Sequence, residues 1–310
     1  MKSINLLICV LFVYLNIAEG ISEDSSSAAV ANEICKSYTE DAKKNHICPV
    51  PQETRLIGGI LAEKGEFPHM VQLAYSKRNT TEYLCSGFII SKNYVLTAAH
   101  CVNGGGGTNK PHYLRAGVTD VNDVSNEQVR SIDSIIIHPE FKRPPIYHDI
   151  ALIKVTEDFN FNKFVSPICL YTNNENPDGE GVHPGWGPTG DDFALEKQPH
   201  MIRLSLNFDS NESCNSTFFR IAKSVLPEGI AKNKIVCAGG KTGGCQIDSG
   251  SPLQIYRKDG KEKPCMYDAV GISSFGVKVC GKEVFPTAFT RISHYIKWIQ
   301  VNVWPQLQAL

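Results

Sequence analysis

The chain is short of the features that would send it to a polyanion, a metal or a membrane. Its 310 residues carry 31 Lys and Arg against 32 Asp and Glu, a formal net charge of -1. With no excess of either sign, neither nucleic acid nor a charged membrane surface is an expected partner. No C-x-x-C pair occurs and the nine histidines are scattered, whereas zinc sites draw on closely spaced ligand pairs. No metal or cofactor is expected. A membrane helix needs about 20 apolar residues, and the one long apolar run, Leu6 to Ile17, falls short of that. Internal repeats and low-complexity arrays are absent.

What is there begins with that run. Lys2 precedes it and Ala18-Glu19-Gly20 follows it, the pattern of an export signal spanning residues 1–20 and cut after Gly20. Its loss removes Lys2 and Glu19 together and takes Cys9, leaving an even ten of the eleven cysteines. In an exported chain that number reads as a disulfide framework. Residues 21–55 form a pro-segment with Cys35 and Cys48, and its Ser/Ala-rich start, Ser22 to Ala31, reads as a disordered lead-in.

From Ile57 onward, apolar runs such as Met70–Tyr75, Tyr83–Ile90, Ile132–His138 and Ile150–Val155 are separated by Gly, Pro and Asn clusters. Such spacing predicts an all-β domain. Helical spacing is confined to the C-terminal stretch, where Ile292, Tyr295, Ile296, Ile299 and Val303 share a face before Pro305. Three N-x-S/T sequons mark Asn79, Asn211 and Asn215 as glycan acceptors, the last two in an Asn/Ser-rich stretch read as a loop.

Three segments carry chemistry. They are Leu96-Thr97-Ala98-Ala99-His100-Cys101, Asp149-Ile150-Ala151-Leu152 and Gly243-Gly244-Cys245-Gln246-Ile247-Asp248-Ser249-Gly250-Ser251-Pro252-Leu253. A serine hydroxyl is a poor nucleophile at neutral pH, so it needs a base and a group that holds the base in one tautomer. The order His, Asp, Ser along the chain is one of several known for such triads. Together with Leu56-Ile57-Gly58-Gly59, Gly185-Trp186-Gly187 and Pro286 to Arg291, these segments resemble the trypsin/chymotrypsin-like serine proteases of the peptidase S1 family. The pro-segment is similar to the linker of arthropod snake-like proteases, without the six cysteines of their clip domain.

The resemblance implies two six-stranded antiparallel β-barrels with a C-terminal α-helix over residues 56–310. It implies a secreted zymogen in which His100, Asp149 and Ser249 are catalytic and the amides of Ile247 and Ser249 form the oxyanion hole. Cleavage after Arg55 would free the Leu56 ammonium to pair with Asp248. By matched positions Gly243 forms the base of the substrate pocket, and Ser274, Phe275, Gly276 and Thr287 form its walls. No carboxylate stands at the base, so the pocket suits a medium apolar side chain.

The implied disulfides are Cys85–Cys101, Cys214–Cys237 and Cys245–Cys280. Cys48–Cys169 and Cys35–Cys265 would tether the linker, with the swapped pairing left open. Implied partners are peptide or protein substrates, a trypsin-like activating protease and serpin-type inhibitors.

Two family glycines are replaced, by Ile247 and Ser251. Ile247 keeps its amide, but its branched Cβ restricts the backbone and crowds the carbonyl to be attacked. Two readings follow: a working endopeptidase with reduced or selective activity, or a protease homolog that serves as a binding partner or cofactor in an extracellular cascade.

Overall fold

The structure is a computed structural model that describes residues 25–48, 60–77, 80–103, 110–186, 199–221, 223, 225–239, 248–258, 264–276 and 285–307. The expected signal, Arg55, Leu56, Asn79, Gly243, Cys245, Ile247 and Cys280 lie outside the described residues.

A two-residue strand β1 (Ile60–Leu61) is followed by β2 (Met70–Lys77), β3 (Thr80–Ile89), β4 (Tyr94–Thr97), β5 (Tyr113–Ala116), β6 (Gln128–Ile137) and β7 (Ala151–Val155). Strands β2 to β7 close a six-stranded antiparallel barrel in the order β2-β3-β4-β7-β6-β5. Leu73, Phe88, Leu96, Leu114 and Leu152, one from each of five strands, are fully buried in the same core.

The next strands are β8 (Cys169–Leu170), β9 (Glu180–Gly185), β10 (Ile202–Phe208), β11 (Ile235–Gly239), β12 (Pro252–Tyr256), β13 (Tyr267–Gly276) and β14 (Thr287–Arg291). Six of them close a second barrel, because β9 pairs with both β10 and β12. Short β8 adds to β13 in parallel, and β1 joins the second barrel through β10. Both expected barrels are present.

Helices are more numerous than the spacing predicts. Residues 25–44 form α1, where a disordered lead-in is expected. Ser27, Ala31, Cys35, Thr39 and Ala42 make its buried stripe at the i, i+4 and i, i+3 spacings of one helix face. These side chains are small or polar, so the stripe carries little hydrophobic signal, and tertiary packing stabilises the helix instead. Tyr38 donates its hydroxyl to the Ile90 carbonyl at 3.2 Å, and Asn32 bridges Thr172 and Arg257.

A four-residue helix α2 (Ala99–Val102) carries His100, and α3 (Asn211–Ile221) replaces the expected Asn/Ser-rich loop. Ser210 Oγ accepts from the Ser213 amide at the start of α3, and Cys214 and Phe218 bury one face of it. Asn211 and Asn215 are therefore helical. The C-terminal helix is present as a 3₁₀ turn, Ile292–Tyr295, leading into α4 (Ile296–Val303), which buries Ile296, Ile299 and Val303.

Cys85–Cys101 and Cys214–Cys237 are bonded as the resemblance implies. The linker cysteines pair the other way, Cys35 with Cys169 and Cys48 with Cys265, with Cα separations of 5.2 and 4.6 Å. The helix explains the correction. Cys35 is on the buried face of α1 against β8, and at about 1.5 Å per residue the helix then carries the chain about 14 Å away before Cys48. A non-reducing gel of protein cut after Arg55 should keep residues 21–55 attached, also in Cys48→Ser, and release them in the Cys35→Ser/Cys48→Ser double variant. A Cys48–Cys169 cross-linked peptide would contradict this pairing.

Candidate active site

Three segments expected to converge do so at the junction of the barrels. His100 projects from α2, which the Cys85–Cys101 bond staples to β3. Asp149 lies two residues before the start of β7, after a turn in which His148 takes a left-handed φ of 56°. The Asp149 carboxylate is 1% exposed. It accepts from the His100 amide at 2.8 Å, from His100 Nδ1 at 2.7 Å, and from the hydroxyl of Ser274 on β13.

Burial alone would raise this carboxyl, but the charge and hydrogen bonds of His100, with the Ser274 bond, hold it below its ordinary value. Because the carboxylate only accepts, the imidazole must carry its proton on Nδ1. Nε2 is then left as the basic atom.

The backbone of Ser249 packs against the first barrel beside this base. Its carbonyl accepts from the Ser86 amide at 2.9 Å. Cys101 Sγ lies 3.7 Å from that carbonyl oxygen and 3.8 Å from His100 Nε2, so one sulfur spaces the two segments. Among the described residues no hydrogen bond joins Ser249 Oγ to His100 Nε2. Such bonds often tighten only when substrate is present.

The sequence profile described as Trypsin matches residues 56–299. The chain is 34% identical over 297 residues to the clotting factor G beta subunit of Tachypleus tridentatus, covering 92% of this chain and 91% of that protein. It is 32% identical to serine protease snk of Drosophila melanogaster over 88% of this chain and 64% of that protein. The chain thus spans less than two thirds of the length of that relative. Among solved structures, the Grass clip serine protease of the Drosophila Toll pathway is similar with a TM-score of 0.67 and 25% identity, over 86% of this chain and 76% of that one.

The chain belongs to the trypsin family of serine proteases.

Around the trypsin-family site the described geometry adds what the motifs alone could not. Gly250 has φ +86°, and a Cβ there would lie 2.2 Å from the Ser86 carbonyl oxygen and 2.4 Å from Thr97 Oγ1, so only glycine fits. Ser251, a departure from the family glycine, is fully buried and donates its hydroxyl to the Asp248 carbonyl at 2.7 Å. The substitution is thus absorbed into the turn that carries the nucleophile.

Two of the residues expected in the pocket walls are cross-strand neighbours. Gly276 on β13 pairs with Thr287 on β14, and Phe275 with Ala288. Phe275 packs edge-on to Phe218 of α3 at 5.2 Å. Two residues escaped the sequence reading. Thr290 Oγ1 donates to the Asp149 carbonyl at 2.9 Å, and Ser86 contacts both Ser249 and Asp248. Position next to Cys85, the staple of the His100 helix, was the available signal for Ser86.

Two buried histidines flank the junction. Burial pushes His69 down to about 3 and His183 down to about 4. Their ring protons are committed to acceptors, His69 Nε2 to Gln254 Oε1 at 2.7 Å and His183 Nδ1 to the Pro252 carbonyl at 2.9 Å.

Both are neutral when folded, and in the unfolded chain they charge near 6.5. Stability from this source is therefore complete above pH 6.5 and is lost as pH falls toward 4, because the unfolded state then binds more protons. Denaturant titrations should show a loss on the order of 3 kcal/mol per histidine by pH 4. An unfolding midpoint unchanged between pH 7 and 4.5 would contradict it.

Proposed function

We propose that this chain is a secreted serine endopeptidase, made as a zymogen and activated by cleavage after Arg55. The reading is carried by one observation, the His100 ring held through Nδ1 by a buried Asp149, with Nε2 3.8 Å from the Cys101 sulfur that also lies 3.7 Å from the Ser249 carbonyl oxygen. His100 takes the Ser249 proton as the hydroxyl attacks the peptide carbonyl and returns it to the departing amine, while Asp149 stays ionised and stabilises the imidazolium. Water then hydrolyses the acyl-enzyme by the same proton path in reverse.

Activation follows from charge. A buried carboxylate needs a partner, and hydrolysis of the Arg55–Leu56 bond supplies the Leu56 ammonium for Asp248. A trypsin-like enzyme performs the cut, since it follows Arg. The oxyanion hole is formed by the amides of Ile247 and Ser249.

Gly243 at the base of the pocket provides no counter-charge for Lys or Arg, whose dehydration would go uncompensated. Thr287, paired with Gly276, narrows the cavity, and the pocket favours a medium apolar side chain such as Leu, Val, Met or Ala over Phe or Tyr. Four disulfides among the described residues support an oxidising, extracellular compartment. Inhibitors of the serpin type are the natural regulators of such a site. The second reading, a homolog acting as a binding partner or cofactor in a proteolytic cascade, is favoured by Ile247, which stands where the family has glycine.

Fluorophosphonate labelling separates the two. Protein cut after Arg55 should label at Ser249, and absence of labelling sinks the endopeptidase reading. Ile247→Gly should raise catalytic efficiency at least tenfold, mainly through turnover. One oxyanion donor is worth roughly 2.7–4 kcal/mol, and about 1.4 kcal/mol gives a factor of ten. An active wild type that Ile247→Gly does not improve would show that Ile247 leaves the oxyanion site intact. A peptide-library profile should show uncharged apolar residues on the acyl side of the cut, and a profile dominated by Arg or Lys would overturn the pocket assignment.

A further inference from the structure

Two polar atoms of the second barrel are buried with nothing to bind. Among the described residues, Ser273 Oγ on β13 and His183 Nε2 on β9 have no hydrogen-bond partner, in residues 0% and 2% exposed. Buried polar groups are seldom left so, because burial strips their water and nothing replaces it. We propose that these two atoms form the floor of the substrate pocket and bind the carboxamide of a glutamine on the acyl side of the cut. This rests on the pocket reading above and extends it: charge stays excluded, and glutamine joins the uncharged side chains the pocket takes.

Strand register puts both atoms on the pocket side. Strand β14 pairs residue for residue with β11 and so runs without a bulge, and its Thr287 and Phe289, two apart, face the same side of the sheet. Gly276 is paired with Thr287 and Ser273 with Phe289, and directly paired residues share a face. Ser273 therefore lies on the face of Thr287 and Gly276, two residues of β14 deeper, about 7 Å at the rise of a strand. Exposure falls the same way, from partly exposed Thr287 and Gly276 to Phe289 and Ser273 at 0%. The bulge in β13 falls at Ser274, whose hydroxyl turns instead to Asp149. His183 joins from β9, its ring perpendicular to that of Phe289 with the centroids 5.1 Å apart.

Both groups are held in place. The Ser273 amide donates to the Ser251 carbonyl at 2.8 Å and its carbonyl accepts from the Gly250 amide at 2.8 Å, so the residue is built against the nucleophile turn. His183 Nδ1 donates to the Pro252 carbonyl at 2.9 Å. That commits the ring proton to Nδ1 and leaves Nε2 as an acceptor, while the Ser273 hydroxyl is able to donate. One acceptor and one donor call for a tip that offers the reverse. A carboxamide does so, with its NH₂ toward His183 Nε2 and its oxygen toward Ser273 Oγ. A carboxylate has no proton for Nε2 and would stand near Asp248, whose charge His183 feels. Methionine matches glutamine in length but leaves both buried atoms unpaired, and the depth of about 7 Å suits glutamine over asparagine.

The test uses the full chain cut after Arg55 and two peptides that differ only in carrying Gln or Met on the acyl side. Wild type should cut the Gln peptide with a kcat/KM at least equal to that for Met. In Ser273→Ala and in Ser273→Val, which refills the volume of the lost hydroxyl should the first variant fail to fold, the Gln-to-Met ratio should drop roughly tenfold or more. The ratio cancels any general loss of activity. A wild type that prefers Met by roughly tenfold, or a ratio unchanged in the variants, overturns the proposal and assigns the two atoms to a trapped water.

Calorimetry of both peptides on Ser249→Ala protein is the second readout. The Gln peptide should bind at least as tightly as the Met peptide and lose that standing when Ser273→Ala is added, and failure of the Gln peptide to bind overturns the floor. If wild type cuts neither peptide, the endopeptidase reading fails while calorimetry still decides the role of Ser273.

Discussion

One charge holds the two barrels to each other. Asp149 is buried to 1%, and an ionised carboxylate in that position is tolerated only when its oxygens are filled with donors. The donors come from both sides. The amide and ring of His100 belong to the first barrel, and the hydroxyl of Ser274 belongs to β13 of the second. Thr290 on β14 adds a bond to the Asp149 backbone. Any shift between barrels would strip donors from a buried anion, so packing that keeps Asp149 satisfied also fixes the imidazole tautomer. Stability and the basicity of Nε2 are two consequences of one interaction.

A second contact between the barrels runs through backbone. The Ser249 carbonyl binds the Ser86 amide, and Gly250 lies so close to the Ser86 carbonyl that a methyl group is excluded. The nucleophile turn belongs to the second barrel but is shaped against the first. Ser251 extends the same logic, since its hydroxyl binds the Asp248 carbonyl at a position where the family carries no side chain at all. A motif departure that looks like decay in the sequence is a structural bond in the fold.

The pro-segment is held with similar firmness. Helix α1 is joined to the second barrel by Cys35–Cys169 and Cys48–Cys265, and Ala31 extends the core shared with the first. Asn32 and Tyr38 add polar contacts on either side of the Cys35 bridge. A cut after Arg55 would therefore leave α1 bonded to the second barrel through both disulfides.

Short apolar runs bounded by Gly, Pro and Asn were enough to place β2, β3, β6 and β7, because strands such as β2 and β7 are buried along most of their length. The segments around His100, Asp149 and Ser249 were legible for a different reason, as each packs short-range chemistry into adjacent residues. The helices α1 and α3 were not legible. The buried stripe of α1 uses Ser, Ala, Cys and Thr, and among its described side chains α3 buries only Cys214 and Phe218, so both carry weak periodicity and become helical by packing against a surface built from distant parts of the chain. The pairing of Cys35, Cys48, Cys169 and Cys265 was likewise beyond the sequence, since ten cysteines spaced along a chain say nothing about which sulfurs a helix will bring within reach. Residues alone pointed to the barrels and to the three segments that meet at their junction; only the tertiary structure decided the linker bridges and the contacts of Ser86. Both of those depend on distances between segments remote in sequence.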